Sequence, residues 1–549
     1  MPFDRRRALA LRLGAVLGVA LAAAGACRGA LLGPRSTTDL EDSGRGYEAS
    51  SEGAPPPLSE GGDRAPFEWT YILGLGQSLA VGVAGRPVLS VRQPHGHMKL
   101  WDRGPDPKFR QDAGTGSLEL VPLIEPLRPT FPVDAGYPKY AYPNNVKGET
   151  PHTAMANGIS ARARALGLGE ILTIHGVSAE GGRSLARIRR GGTSNAYEAG
   201  LYEARALADM ARREGKRLGV GALVLTHGEA DGDNANYDIE LESYIREIRE
   251  DLSSITGQSS TIPVFLTQQG TVPARLQGAA PRSPATLAQW ELSKGGPSGT
   301  LGHVICVGPK YAYAYAKDRI HLTAVSYRRL GEKLAEAYVD TVLRRLPFRP
   351  LEPEEITASG VDVRVRFHVP YPPLRWDENL PSPHPTPGHP WARGRGFELE
   401  DSAGQVPIAS ATLEGDAVRL VPGRPLGQGA VVRYAMTQDH EGPRGYRGGE
   451  GDGRMGQLAD SDPFVGEDDE ELELEVTRGS ALVRGAFATH GPLDLVVAHG
   501  LPPRTVIREI APGGEARLSS PWSGASGAVR ARVHSDQSNY AVHFVRPVR

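Results

Sequence analysis

Between Phe67 and Leu346, short continuous apolar runs alternate with longer segments in which apolar residues recur every three or four positions. The runs Tyr71–Leu75, Ile171–Val177, Val220–Thr226, Val264–Thr267 and His303–Val307 read as parallel strands covered on both faces, because a half-exposed strand would alternate apolar with polar. The periodic segments near Thr153–Leu166, Ala196–Arg213, Ile239–Ile255 and Ala324–Leu343 predict helices. Strands and helices in alternation predict one α/β domain over residues 66–347, a three-layer α/β/α sandwich around a parallel sheet. After Pro350 the period changes to two, clearest in Val361–Phe367 and continued by Ala409–Leu420 and Val431–Met436. A second cluster, Glu471–Val476, Ala481–Phe487, Leu493–Ala498, Ala528–Val533 and Tyr540–Val545, follows the acidic linker Glu467–Glu471. These predict two β-sandwich-like modules, residues 350–465 and 471–549, which serve either packing or contact with carbohydrate. Two stretches interrupt the α/β alternation. Pro87–Pro151, rich in Pro, Tyr and Asn, and Gln269–Gly302, with Arg275, Gln289 and Trp290, are expected to wall the site and set substrate choice.

A length of 549 residues suggests roughly two to four domains, in keeping with this division. The net charge of -2 provides no basic field, so nucleic acid is not an expected partner. Arg5-Arg6-Arg7, the apolar stretch Ala8–Ala24 and the small residues Ala24-Gly25-Ala26 read as an export signal over residues 1–27. Cys27 follows directly, as in bacterial lipoprotein signals, although Ala24 stands where a larger aliphatic residue is usual. Simple secretion and a lipid anchor at Cys27 both stay open, and that anchor is the one membrane contact expected. Residues 28–65, with Ala54-Pro55-Pro56-Pro57, lack hydrophobic period and read as a tether. The other cysteine, Cys306, lies in an aliphatic run and reads as a small buried residue, not a nucleophile.

The chemistry begins with Gly74-Leu75-Gly76-Gln77-Ser78. This turn would set Ser78 at the carboxyl edge of the sheet, where open α/β folds bind ligands. Asp318 and His321 stand three residues apart, so on one turn the carboxylate can hold the imidazole Nδ1 proton while Nε2 faces Ser78. Two further strand ends lie between, Ser178-Ala179-Glu180-Gly181-Gly182-Arg183 and His227-Gly228-Glu229-Ala230-Asp231.

This four-block order resembles the SGNH hydrolases, specifically the carbohydrate-esterase branch with sialate O-acetylesterase-like and acetylxylan-esterase-like members, over Phe67 to Leu346. The resemblance implies a flavodoxin-like α/β/α fold and hydrolysis of acetylated carbohydrate through an acyl-serine, without metal or cofactor. Ser78 would be the nucleophile, His321 the base and Asp318 its orienting carboxylate. The oxyanion donors implied are the Ser78 N–H, Gly181 or Gly182, and His227, which stands where the branch often has Gln. Ala230 stands where many members place Asn, and its side chain cannot donate. Gln77, Gly228, Glu229 and Asp231 are expected to support the site, the two carboxylates by bonding backbone amides of the serine loop. His175 reads as structural, and Arg183, Arg187, Arg189 and Arg190 as a solvated helix face. No metal, phosphate or calcium site is expected: His95-Gly96-His97 reads as a flexible loop without a third ligand, Gly448–Gly456 lacks a Walker lysine, and Asp460-Ser461-Asp462 lacks the rest of a calcium loop. Two other readings stay open, a binding protein on a retired hydrolase scaffold and an esterase for lipid or other non-sugar esters.

Overall fold

Trp69–Gly76 (β1) is buried along its whole length and occupies the centre of a seven-stranded sheet. The structure is a computed structural model, and residues 67–102, 118–128, 146–270, 284–437 and 455–549 are described. The export segment with Cys27, the tether 28–65, Arg275 and residues 448–454 of the Gly-rich stretch lie outside them. Met98–Asp102 (β2), Leu118–Pro122 (β3), Ile174–Ala179 (β4), Leu218–Thr226 (β5), Val264–Gln268 (β6) and Val304–Pro309 (β7) complete the sheet in the order β3-β2-β4-β1-β5-β6-β7. All neighbours pair in parallel except β2 with β3.

Side chains alternate across this sheet. Trp69, Tyr71, Leu73 and Leu75 face a core shared with Ala196–Arg213 (α3) and Tyr237–Thr256 (α4). Ile72, with Ala222, Val224 and Phe265, faces Pro151–Ala165 (α1) and Ala324–Tyr338 (α6) on the other side. The short helices Leu185–Ile188 (α2) and Pro284–Glu291 (α5) join the first of these cores. The domain is therefore three-layer α/β/α, with β4 on one side of β1 and β5 on the other, so the strand order reverses at β1. Ligands of open α/β sheets bind at such a reversal.

The Pro87–Pro151 stretch contains two strands, β2 and β3, that its Pro-rich composition concealed. Its described end lies against the serine loop: Leu123, Leu127 and Val146 pack with Ala80 and Val81. His95-Gly96-His97 is not a loose loop, because both imidazoles are buried. Ser160 Oγ donates to the Ile171 carbonyl (2.8 Å) and so accepts from His97 Nε2 (2.9 Å). Thr173 Oγ1 joins His97 Nδ1 (2.9 Å) to His175 Nε2 (2.8 Å), and His175 Nδ1 meets His152 Nδ1 at 3.1 Å. Burial holds the His97 pKa down at about 4 and that of His152 at about 3, and pushes that of His175 well down too. The unfolded chain therefore binds more protons than the folded one between pH 6.5 and 4. The stability this chain of imidazoles provides is intact above pH 6.5 and falls as the pH drops, by about 3 kcal/mol for His97 alone. Selectively labelled His97 should keep its neutral imidazole shift down to about pH 4, and a midpoint near 6.5 would contradict the buried chain.

Two β-modules follow. In the first, the sheet Ile408–Glu414, Ala417–Pro422, Asp362–His368, Glu352–Ser359 faces the sheet Gly404–Val406, Phe397–Asp401, Val431–Tyr434, Phe544–Pro547 across a shared core. Its fourth strand, Phe544–Pro547, comes from beyond the second module, so the boundary expected between the modules is crossed. The preceding residues explain the return. Gln268 of β6 bonds the His543 backbone N–H (2.9 Å) and carbonyl (3.0 Å), and Tyr311 donates to the Ala541 carbonyl (2.6 Å). The second module is one six-stranded antiparallel sheet with its own core, and the Leu495↔Val506 bridge draws its edges together. Trp290, expected in the wall of the site, instead enters the first module's core and donates to Glu352 (2.6 Å). The exposed large apolar side chains among the described residues are all aliphatic. No described helix is long and apolar enough to cross a membrane. The described residues all belong to one compact unit.

Candidate active site

β1 must turn sharply to present Ser78, and Gly76 makes the turn possible. Its φ is +130°, and a Cβ there would lie 2.0 Å from the Thr226 carbonyl oxygen at the end of β5. That carbonyl accepts the Gln77 N–H (3.1 Å), the Gln77 carbonyl accepts the Ala80 N–H (2.9 Å), and the Ser78 carbonyl accepts the Val83 N–H (3.1 Å). The loop is thereby pinned at both ends, with Ser78 8% exposed.

Asp318 and His321 lie on the loop between β7 and α6. The Tyr315↔Leu322 bridge closes this loop, and the His321 carbonyl accepts the Ala316 N–H at 2.7 Å. Arg319 takes the left-handed conformation (φ 63°). Asp318 Oδ1 accepts the N–H groups of Ile320 (3.1 Å) and His321 (3.0 Å), while Oδ2 accepts His321 Nδ1–H at 2.6 Å. Partial burial raises the Asp318 pKa, but the bonds from His321 and Ile320 outweigh it and hold the carboxyl down at about 2. His321 Nε2 is buried and has no hydrogen-bond partner among the described residues. The structure thus joins Asp318 to His321 and leaves the link from His321 to Ser78 unmade.

Around the serine loop, Gln77 Nε2 donates to Glu229 (3.0 Å), and Gln77 Oε1 accepts the Ala230 N–H (3.3 Å). The other oxygen of Glu229 meets Lys310 Nζ at 2.6 Å in a fully buried ion pair. Lys310, the first residue after β7, thus joins the loops carrying Gln77, Glu229 and His321. Nothing in its sequence surroundings marks it. Glu229 holds the serine loop through the Gln77 side chain rather than through a backbone amide. Asp231 holds a different loop, accepting the Leu185 N–H at 2.6 Å. Gly228 (φ +127°) leaves room for Gln289 Nε2, which a Cβ there would meet at 2.7 Å. Gln289 donates to the His227 carbonyl and accepts the Gln269 N–H at 2.7 Å.

His227, expected as an oxyanion donor, serves the scaffold instead. Burial holds its pKa down, so the ring is neutral with one N–H. Nε2 lies 3.0 Å from the Arg183 carbonyl, which can only accept, so the proton is used there and Nδ1 accepts from Tyr237 (3.0 Å). The N–H groups of Ser78, Gly181 and Gly182, by contrast, have no acceptor among the described residues. They stand at the ends of neighbouring strands, since Gly76 pairs with Ala179 and accepts the Glu180 N–H at 3.2 Å. The arginines beside them are largely neutralised: Arg183 by Glu180 (2.7 Å), Arg189 by Glu247, and Arg190 by Glu250 (2.9 Å) and Asp251 (2.8 Å). Cys306 is buried and its thiol pKa is pushed up to about 12 by that burial, which makes it inert.

A Ser at the reversal point of a doubly covered parallel sheet, with a carboxylate-held imidazole on a neighbouring loop, defines a hydrolase-type α/β domain. Residues 120–340 match the family described as "SASA: Carbohydrate esterase, sialic acid-specific acetylesterase". This stretch is accordingly similar to the carbohydrate-esterase, sialic acid-specific acetylesterase family. It takes in the Gly181, Glu229 and Asp318–His321 blocks and starts after Ser78. Among solved structures, a protein from Arabidopsis thaliana is 18% identical over 50% of this chain and 98% of its own, with a TM-score of 0.36. A carbohydrate acetylesterase from Xanthomonas citri is 17% identical over 67% and 75%, with a TM-score of 0.38. NanS is 13% identical over 51% and 99%, with a TM-score of 0.35. No curated protein matches the chain.

Proposed function

We propose that this protein is a carbohydrate O-acetylesterase that works through an acyl-serine intermediate. The observation that carries the reading is His321, whose Nδ1 is fixed by an ionised Asp318 and whose buried Nε2 has no partner among the described residues. In the proposed cycle His321 Nε2 takes the Ser78 proton as Oγ bonds to the acetyl carbon. The negative oxygen is met by the unpaired N–H groups of Ser78 and Gly181 or Gly182. Collapse breaks the ester C–O bond, and the imidazolium returns its proton to the departing sugar oxygen. Water then adds to the acyl-serine with His321 as base, and acetate leaves as Ser78 regains its proton.

Ser78→Ala should reduce acetyl-ester hydrolysis to background without shifting the thermal transition. Hydrolysis unchanged in that variant would refute the assignment. A second reading, a binding protein on a hydrolase scaffold, draws on two observations: Ala230 has no donating side chain, and His227 already uses its proton elsewhere. A fluorophosphonate separates the two, since an esterase becomes labelled at Ser78 and a pure binder does not.

A further inference from the structure

Helix α6 carries an apolar face and a charged face, and both are buried. Tyr327, Leu330, Leu334 and Tyr338 join the core shared with α1. The opposite face presents Arg328, Arg329, Glu332, Lys333 and Glu336, and the last four are no more than 6% exposed. The β-modules cover them. Arg328 pairs with Asp468 at 3.0 Å, and Glu332 accepts from Gln537 Nε2 (2.6 Å) and Ser535 Oγ (3.2 Å). At the centre, Lys333 Nζ donates to Glu336 (2.6 Å), Asp462 (3.2 Å), the Gln537 carbonyl (2.5 Å) and Asn539 Oδ1 (3.1 Å). Gly466 fits only because it has no side chain, since a Cβ there would lie 1.8 Å from Glu332 Oε2.

Apolar packing tolerates a small rotation of a helix, whereas buried charges do not, because a slipped register leaves them unpaired in a low dielectric. The network therefore selects one rotation of α6, and that rotation bears directly on the site. The helix is capped by Thr323, two residues after His321. In its first turn Tyr327 donates to the Val83 carbonyl (2.9 Å), and the Val83 N–H donates to the Ser78 carbonyl (3.1 Å). One rigid element thus touches the nucleophile loop, follows directly from the imidazole and is gripped along its length by the modules.

We propose that the β-modules position His321 against Ser78 through α6, with Lys333 as the central positioning residue. This rests on the esterase reading above. The test measures kcat, KM and the rate of fluorophosphonate labelling at Ser78, well below the thermal transition, for Lys333→Met and for Lys333→Met combined with Asp462→Asn. Lys333→Met should lower kcat and the labelling rate by about tenfold or more, with KM held within about twofold, because a misplacement of about 1 Å can cost as much as about 10²-fold. The double variant removes one cation and one carboxylate, so it restores the wild-type net charge of the cage and should recover most of the loss. A folded Lys333→Met protein that labels as fast as wild type would overturn the proposal. Where Lys333→Met does not fold, Arg328→Met at the edge of the same network takes its place, with the same two outcomes. Wild-type protein that neither hydrolyses acetyl esters nor becomes labelled would sink the esterase reading itself, a result distinct from equal labelling of wild type and variant.

Discussion

Asp318→Asn is expected to lower kcat for a simple acetyl ester by about 10³–10⁴-fold, with little change in KM. The carbonyl oxygen of the new amide would still accept the two backbone N–H groups that hold the turn, so the loop should keep its shape. The change falls on the other atom. An amide NH₂ facing His321 Nδ1 can only donate, which forces the ring into the tautomer with its proton on Nε2, the atom that must be free to accept from Ser78. A loss below tenfold would mean that the pair does not act as orienter and base. The wild-type pH–rate profile provides a second check. With the Asp318 pKa held down at about 2, the carboxylate is ionised throughout the working range, so no inflection above about pH 3 should disappear when an amide replaces it. The stability this bond provides is present above the ordinary carboxyl pKa and is lost only as the pH falls through about 2.

Lys310→Met should be the most damaging single change outside the reacting residues. It removes the cation from a fully buried pair and leaves Glu229 charged, buried and bound only to Gln77. Breaking such a pair costs about 3–5 kcal/mol, enough to lower a domain's thermal transition by on the order of 10 °C. Glu229, no longer anchored by Lys310, would hold Gln77 less firmly and loosen the serine loop, so activity per folded molecule should fall as well. Adding Glu229→Gln removes the stranded charge and should restore most of the melting temperature. A Lys310→Met protein that melts within a degree or two of wild type would show that the pair does not matter.

The α/β core was readable in the sequence because strands buried on both faces must be continuously apolar, and β1, β5, β6 and β7 are. β2 and β3 form the outer end of the sheet, where no such run is needed: Lys99 and Glu119 sit among their apolar residues within a segment rich in proline. The Asp318–His321 pair was legible because both partners lie on one turn. Lys310 and His227 were not, since their roles depend on which loops the topology brings together. A lysine that follows Pro309 looks like any surface lysine until β5 places Glu229 opposite it. His227 looks like a donor until α4 brings Tyr237, and the loop after β4 brings the Arg183 carbonyl, to its two nitrogens. The crossing of Phe544–Pro547 into the first module was equally hidden, because an alternating pattern states that a strand has two faces and not which sheet it joins.

That crossing imposes an order on biogenesis. During synthesis the first sandwich waits with Val431–Tyr434 as an open edge until the ribosome has delivered the whole of the second module and the strand after it. The His321 helix is not fully enclosed before then, because Gln537 and Asn539 arrive in the same late stretch. A chain truncated before residue 540 should therefore be cut readily by protease near Val431, whereas the released chain that contains Phe544–Pro547 should resist.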